Sequence, residues 1–176
     1  MYYKLGKIPP KRHIQFRKKD GSLYYEELFG NEGFSSDSSL IYHIYPPTQV
    51  KEVIGFKDVS PKAAVHENIT SRKIKANKIS AYSTYNEGKV PLLFNNDLTI
   101  GVSNPKNSSK DVYYKNASCD ELVFIHHGNG LLKTFLGDVE FCEGDYVIIP
   151  RGIIYQFEFN TKKNKILYLE SNSPIS

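Results

Sequence analysis

Residues 121–159 constrain the fold more than any other part of the chain. They read ELVFIHHGNGLLKTFLGDVEFCEGDYVIIPRGIIYQFEF, short apolar segments of strand length separated by tight turns. Glycine at Gly128-Asn129-Gly130, Gly137-Asp138 and Glu143-Gly144-Asp145 permits the positive φ that hairpins need. Pro150-Arg151-Gly152 suits a type I turn with proline second and glycine last. After Pro150 the pattern alternates: Ile153, Tyr155, Phe157 and Phe159 share one face and Ile154, Gln156 and Glu158 the other, as in a half-buried antiparallel strand. In residues 121–127, Leu122, Phe124 and His126 oppose Glu121, Val123, Ile125 and His127, and the weaker alternation predicts cover on both faces.

Elsewhere the pattern predicts a short helix over residues 23–28, strands over 40–45, 50–56, 91–94, 98–102 and 165–170, and a helix or loop over 62–67. Val112 and Tyr114 lead into the meander. Nine or ten strands at this spacing suit a barrel or sandwich. Residues 1–45 read as an extended N-terminal arm, rich in Tyr and Phe and broken by Pro9-Pro10 and several glycines. Residues 46–176 read as the barrel. The fold class expected is all-β.

The charge excludes some functions. The 23 basic and 19 acidic residues of the 176-residue chain are interspersed, whereas a nucleic-acid binder concentrates its cations on one face. No run approaches 18 apolar residues and no apolar signal core opens the chain, so the expectation is a cytoplasmic protein without a membrane span. Cys119 and Cys142 are then reduced and unpaired. No cysteine–histidine cluster has zinc spacing, and no phosphate loop, HExxH or Ser/His/Asp order is present.

The order strand, Gly-Asp turn, strand, Pro-x-Gly, strand resembles the cupins, small jelly-roll barrels. Gly144, Pro150 and Gly152 match the skeleton of the second cupin motif, and the position of that motif's metal-binding histidine is Tyr155. If Glu121 is the glutamate of the first motif, its two histidine positions fall near Tyr114 and Asn116. The resemblance thus implies a barrel without the cupin metal set, its pocket filled by phenol and hydrocarbon.

A more specific resemblance runs from Met1 to Ile175. Lys4-Leu5-Gly6, Pro9-Pro10-Lys11-Arg12-His13, Gln15-Phe16-Arg17, Glu26-Glu27-Leu28-Phe29-Gly30 and Ser38-Ser39-Leu40-Ile41-Tyr42-His43 look like the opening of the bacterial homogentisate 1,2-dioxygenase family. Pro91-Leu92-Leu93-Phe94-Asn95, Asp120-Glu121-Leu122-Val123-Phe124 and residues 144–152 agree with it. The resemblance implies an iron(II)-dependent, ring-cleaving enzyme of tyrosine and phenylalanine catabolism that adds O₂ to homogentisate. It also implies homo-oligomers, with the aromatic arm in a subunit contact or the chain paired with a C-terminal cupin half. In that family the iron ligands and the acid/base histidine lie in that second half. The resemblance therefore carries no catalytic or iron-binding position onto this chain and implies that the catalytic residues lie beyond Ser176. Three readings stay open: a non-catalytic N-terminal half, a stand-alone metal-free cupin that binds a small molecule or acts as a scaffold, and an enzyme whose site is built otherwise.

The individual candidates divide between chemistry and packing. The histidines are His13, His43, His66, His126 and His127. Adjacent strand residues point to opposite faces, so His126 and His127 cannot reach one metal together; His127, on the Glu121 face, is left open to a hydrogen bond. Tyr155 either binds a ligand or fills the core with one hydrogen-bond partner. Glu121 is a vestigial ligand or a strand-end carboxylate that is solvated or paired with a nearby lysine or arginine. Arg151 either guides an anionic carboxylate or is an exposed turn residue.

Overall fold

The computed structural model describes residues 15–33, 35, 37–65, 68 and 70–175. His13 and His66 lie outside these, as does the basic opening of the arm. Ser176, the residue beyond which the catalytic set is expected, lies outside them too. Two compact units divide the chain, one within residues 1–59 and the other within 60–176. Among the described residues the regular structure is eleven strands and a single turn of 3-10 helix, Ala76–Lys78. None of the helical structure is long and apolar enough to cross a membrane, which says nothing of strands.

The first unit holds one antiparallel hairpin, β1 (Tyr25–Gly30) and β2 (Ser38–His43), in register from Tyr25↔His43 to Gly30↔Ser38. The helix expected over 23–28 is therefore a strand. The spacing of Tyr24 and Leu28 fits a helical face, but pairing with Ser38–His43 supplies the ladder bonds, and aromatic residues suit a pleated surface. The strand expected over 50–56 does not form. Its apolar residues find no partner strand among the described residues, and Val50, Val53, Ile54 and Phe56 are 75–95% exposed.

The second unit holds β3 (Val90–Phe94), β4 (Leu98–Ser103), β5 (Tyr114–Lys115), β6 (Asp120–His127), β7 (Gly130–Thr134), β8 (Gly137–Phe141), β9 (Tyr146–Ile149), β10 (Ile154–Phe159) and β11 (Lys165–Ser171). They form a five-stranded sheet in the order β3-β4-β11-β6-β9 and a four-stranded sheet in the order β5-β10-β7-β8, antiparallel throughout. From β4 to β11 the chain changes sheet at every connection except β7–β8. That alternation is the double Greek key of a jelly roll, the architecture on which cupins are built.

The topology corrects the reading of the turns. From β4 to β11, only β7 and β8 make a hairpin, through Phe135 and Leu136, with Thr134 Oγ1 donating to the Gly137 carbonyl. The Gly128, Gly144 and Gly152 turns instead carry the chain from one sheet to the other. Turn chemistry alone does not distinguish the two, because both require a tight reversal. At Pro150 the turn is also shifted by one residue: the Ile153 N–H donates to the Pro150 carbonyl, and Gly152, third in the turn, takes φ +84°. Positive φ at the third position is the signature of type II, not type I.

The core lies between the sheets. Val123 and Ile125 from β6, Ile166 and Tyr168 from β11, and Tyr155 and Phe157 from β10 are buried, together with Tyr85. Phe157 is its aromatic centre, edge-on to Tyr85, Phe141 and Tyr155 at centroid distances of 4.8–5.7 Å. The predicted alternation in β10 holds for Tyr155 and Phe157, while Gln156 on the other face is buried too and donates to the carbonyls of Ser109 and Val112. In β6 the inward face is buried as far as Ile125, and Leu122 and Phe124 on the outward face are half-buried.

Candidate functional site

Residues from five segments meet at the start of β6 and the end of β11. Glu121, the second residue of β6, faces inward and is fully buried. A carboxylate without water needs a donor for each lone pair it keeps, and the barrel supplies them. Oε2 accepts from the Tyr155 hydroxyl at 2.9 Å, the Lys89 ammonium at 3.0 Å and the Tyr85 hydroxyl at 3.3 Å. Oε1 accepts from the Asn116 amide at 3.0 Å. Lys89 also donates to Glu170 Oε1 at 2.9 Å, and Asn116 reaches the same atom at 3.4 Å.

Aromatic faces close the rest of the shell around Lys89. Its Nζ lies 4.9 Å from the ring centroid of Tyr85 and 5.2 Å from those of Tyr114 and Tyr168, within cation–π range. Tyr168 fits because β4 carries glycine opposite it: a Cβ at Gly101 would overlap the Tyr168 hydroxyl and the Val90 carbonyl. No buried side-chain nitrogen or oxygen among the described residues lacks a partner.

Burial opposes the charge on Lys89, but the carboxylates of Glu121 and Glu170 outweigh it and hold its pKa above the ordinary lysine value. Burial, reinforced by those carboxylates, raises the phenols of Tyr85 and Tyr168, and burial, with Tyr85 and Glu121 beside it, raises that of Tyr155. Tyr114 is raised as well, again by burial first. The raised pKa values keep the lysine charged and the four tyrosines neutral. Near pH 7 they hold protons rather than exchange them.

The positions matched to the cupin metal set do come together here. Tyr155, Asn116 and Lys89 are all bonded to Glu121, and Tyr114 lies edge-on to Tyr155 at 5.5 Å. Apart from the Glu121 carboxylate, what they present to the centre is a set of donors. Asn116 turns its NH₂ inward because its oxygen already accepts the backbone N–H groups of Ser118 and Cys119. The Tyr85 and Tyr155 phenols donate to Glu121, and the Lys89 ammonium stands beside them. Iron(II) needs lone pairs at such positions, so these residues do not fit it. Among the described residues no three His, Cys, Asp or Glu side chains are grouped to hold a metal ion.

The remaining candidates are placed as follows. Glu121 is paired with a lysine and is not solvated, because it lies on the inward face of β6. Tyr155 is a buried core residue with two partners, Glu121 and Asn86. The pocket is not closed by phenol and hydrocarbon alone, because Lys89 and Glu170 bring charge into it. Arg151 pairs its Nε with Asp120 at 2.9 Å, and its Nη2 donates to the Asn172 carbonyl. His127 pairs with Glu143 at 2.7 Å on the surface, and His126 lies near the ring of Phe124. His43 pairs with Glu27 in the hairpin of the first unit. Cys119 and Cys142 are free thiols.

Lys89, Tyr85 and Glu170 are absent from the sequence reading. Lys89 precedes a proline-bearing strand with no pattern around it. Glu170 had a signal, since Ile166, Tyr168 and Glu170 alternate onto one face of β11. Asp120 was missed too. It is fully buried and accepts from the backbone N–H groups of Arg151 and Ile175 and from the Arg151 guanidinium. Burial works against its charge, yet these bonds bring its pKa below the ordinary value.

No family model matches the chain. It is 35% identical over 168 residues to a protein of Saccharolobus solfataricus whose name gives it, provisionally, as a dioxygenase. The match covers 96% of this chain and 43% of that protein, so the chain spans less than half the length of this curated relative. Similar solved structures include a cupin superfamily protein from Desulfitobacterium hafniense, at 15% identity and a TM-score of 0.47, covering 63% of this chain and 100% of that one. A cupin-2 domain protein from Shewanella frigidimarina is 17% identical with a TM-score of 0.41, covering 47% of this chain and 78% of that one.

Proposed function

We propose that the chain is the non-catalytic N-terminal part of a cupin dioxygenase of the homogentisate 1,2-dioxygenase type, with the catalytic residues of the working enzyme beyond Ser176. The observation that carries this reading is that Lys89, held by Glu121 and Glu170, stands among the residues whose positions resemble the cupin metal set. A barrel closed in this way leaves iron binding and O₂ chemistry to residues elsewhere in the working enzyme. The likeness along 96% of the chain to a longer protein named as a dioxygenase supports it.

The task that remains for such a barrel is to support a partner, and its outer surface suits that task. Ladder partners share a face, so Leu122, Phe124, Tyr146, Ile148, Leu167 and Leu169 form one outward patch on the five-stranded sheet. Tyr146, Ile148 and Leu167 are exposed. A contiguous apolar patch of this kind marks an interaction surface. The partner proposed is a second cupin barrel, in the same polypeptide or in another subunit, and the location proposed is the cytoplasm.

The test is O₂ uptake by the 176-residue chain supplied with iron(II) and homogentisate. No uptake above the iron blank is expected. Turnover that follows the protein through purification refutes the non-catalytic reading.

A second reading, a metal-free binding module, is favoured by one feature. A cleft of about 670 Å³ is lined by Lys106, Lys110 and Lys162, with Tyr114 and Phe159 in its wall. None of the three lysines has an ion-pair partner among the described residues. Saturable calorimetric binding of an aromatic carboxylate without iron would support this module. A flat titration removes it.

A further inference from the structure

We infer that Lys89 is the resident cation of this barrel: the site is a cage for a primary ammonium, and the chain's own lysine is its ligand. The inference holds whether or not the chain works as part of a larger enzyme.

Three observations carry it. First, the charge is balanced locally, with two carboxylates at 3.0 and 2.9 Å from a single Nζ that is mostly withdrawn from water. Second, the shell is chemically selective. Three tyrosine rings turn their faces to Nζ, and an organic ammonium, weakly hydrated on its carbon side, profits from ring faces that a divalent metal cannot use as ligands. Third, the other inward groups are donors, the Asn116 amide and the Tyr85 and Tyr155 hydroxyls, all committed to Glu121. They bond the carboxylate on the sides that Lys89 does not, so what surrounds Nζ besides the two carboxylates is donor hydrogens and ring faces. The cage is therefore expected to keep its preference for an ammonium when its own lysine is removed.

Lys89→Ala in the full chain deletes the atoms of n-propylammonium, so that ion is the probe. The variant is expected to melt well below the wild type. Millimolar n-propylammonium should restore at least half of the lost melting temperature in a saturable manner. 1-Propanol, which has the same body without the charge, and Mn(II) should restore little. Equal rescue by propanol would reduce the site to packing, and stronger rescue by Mn(II) would make it a metal site. Either outcome overturns the inference.

If Lys89→Ala does not fold, Lys89→Met provides the second arm, because it keeps the length of the side chain and loses the charge. A melting temperature lowered from the wild type is expected, and a wild-type value overturns the inference. Equilibrium dialysis of the wild-type chain against Mn(II) should show no stoichiometric uptake. Uptake that Glu121→Gln abolishes would likewise overturn it.

Discussion

Glu121→Gln is the substitution that best weighs the buried charge. The side chain is fully buried, and no solvent screens it. Glutamine keeps its volume and can still offer an oxygen to Tyr155, Tyr85 and Lys89. It then turns its NH₂ towards the Asn116 amide, placing donor against donor where a bond of 3.0 Å now stands. Lys89 keeps Glu170 alone, and three bonds to a charged acceptor become bonds to a neutral one. Hydrogen bonds to charged groups contribute roughly 1.5–3 kcal/mol each. Breaking one side of a buried pair costs about 3–5 kcal/mol, and we expect a loss in that range. For a chain of this size it corresponds to a fall in melting temperature of roughly 6–20 °C. Urea unfolding followed by circular dichroism measures it. Glu170→Gln is the internal comparison: Glu170 is 21% exposed and water can take over part of its role, so about 1 kcal/mol is expected there. Equal losses in the two variants, or a loss below about 1 kcal/mol for Glu121→Gln, would show that the charge at Glu121 does not organise the site.

Tyr155→Phe removes the shortest bond to Glu121 without opening a cavity and is expected to cost about 1.5–3 kcal/mol by urea unfolding; no loss would mean that the hydroxyl is redundant with Tyr85. Gly101→Ala forces Tyr168 and the Val90 carbonyl apart and is expected to cost about 1–3 kcal/mol, and a neutral result would show that β3 yields freely. Asp120 has a folded pKa below its ordinary 3.8, so its contribution is fully present above that value and is lost as pH falls through the lower, folded value. Asp120→Asn should therefore flatten the acid limb of stability against pH, and an unchanged acid limb counts against the role of its Arg151 and Ile175 bonds.

Period two within β10 placed Tyr155 and Phe157 on the inward face from the sequence alone, because a pleat sends alternate side chains to opposite faces; in β6 it grouped Glu121 with Val123 and Ile125 without deciding which face is inside. The glycine turns marked where strands end for the same local reason. Which sheet a strand enters after a turn is not local, and only the β4–β11 and β6–β11 ladders decide that the chain crosses between sheets where a meander would turn back. The cupin pattern placed Tyr114, Asn116, Glu121 and Tyr155 at one point, since it records positions that the jelly roll brings together. It was silent on Lys89, which lies outside both motifs, 32 residues from Glu121 and 81 from Glu170. Charge is long-ranged in space and carries no periodicity along the chain. Alternation therefore determined that Glu121 shares a face with Val123 and Ile125, and the tertiary fold alone decided that this face is buried and which cation meets the carboxylate.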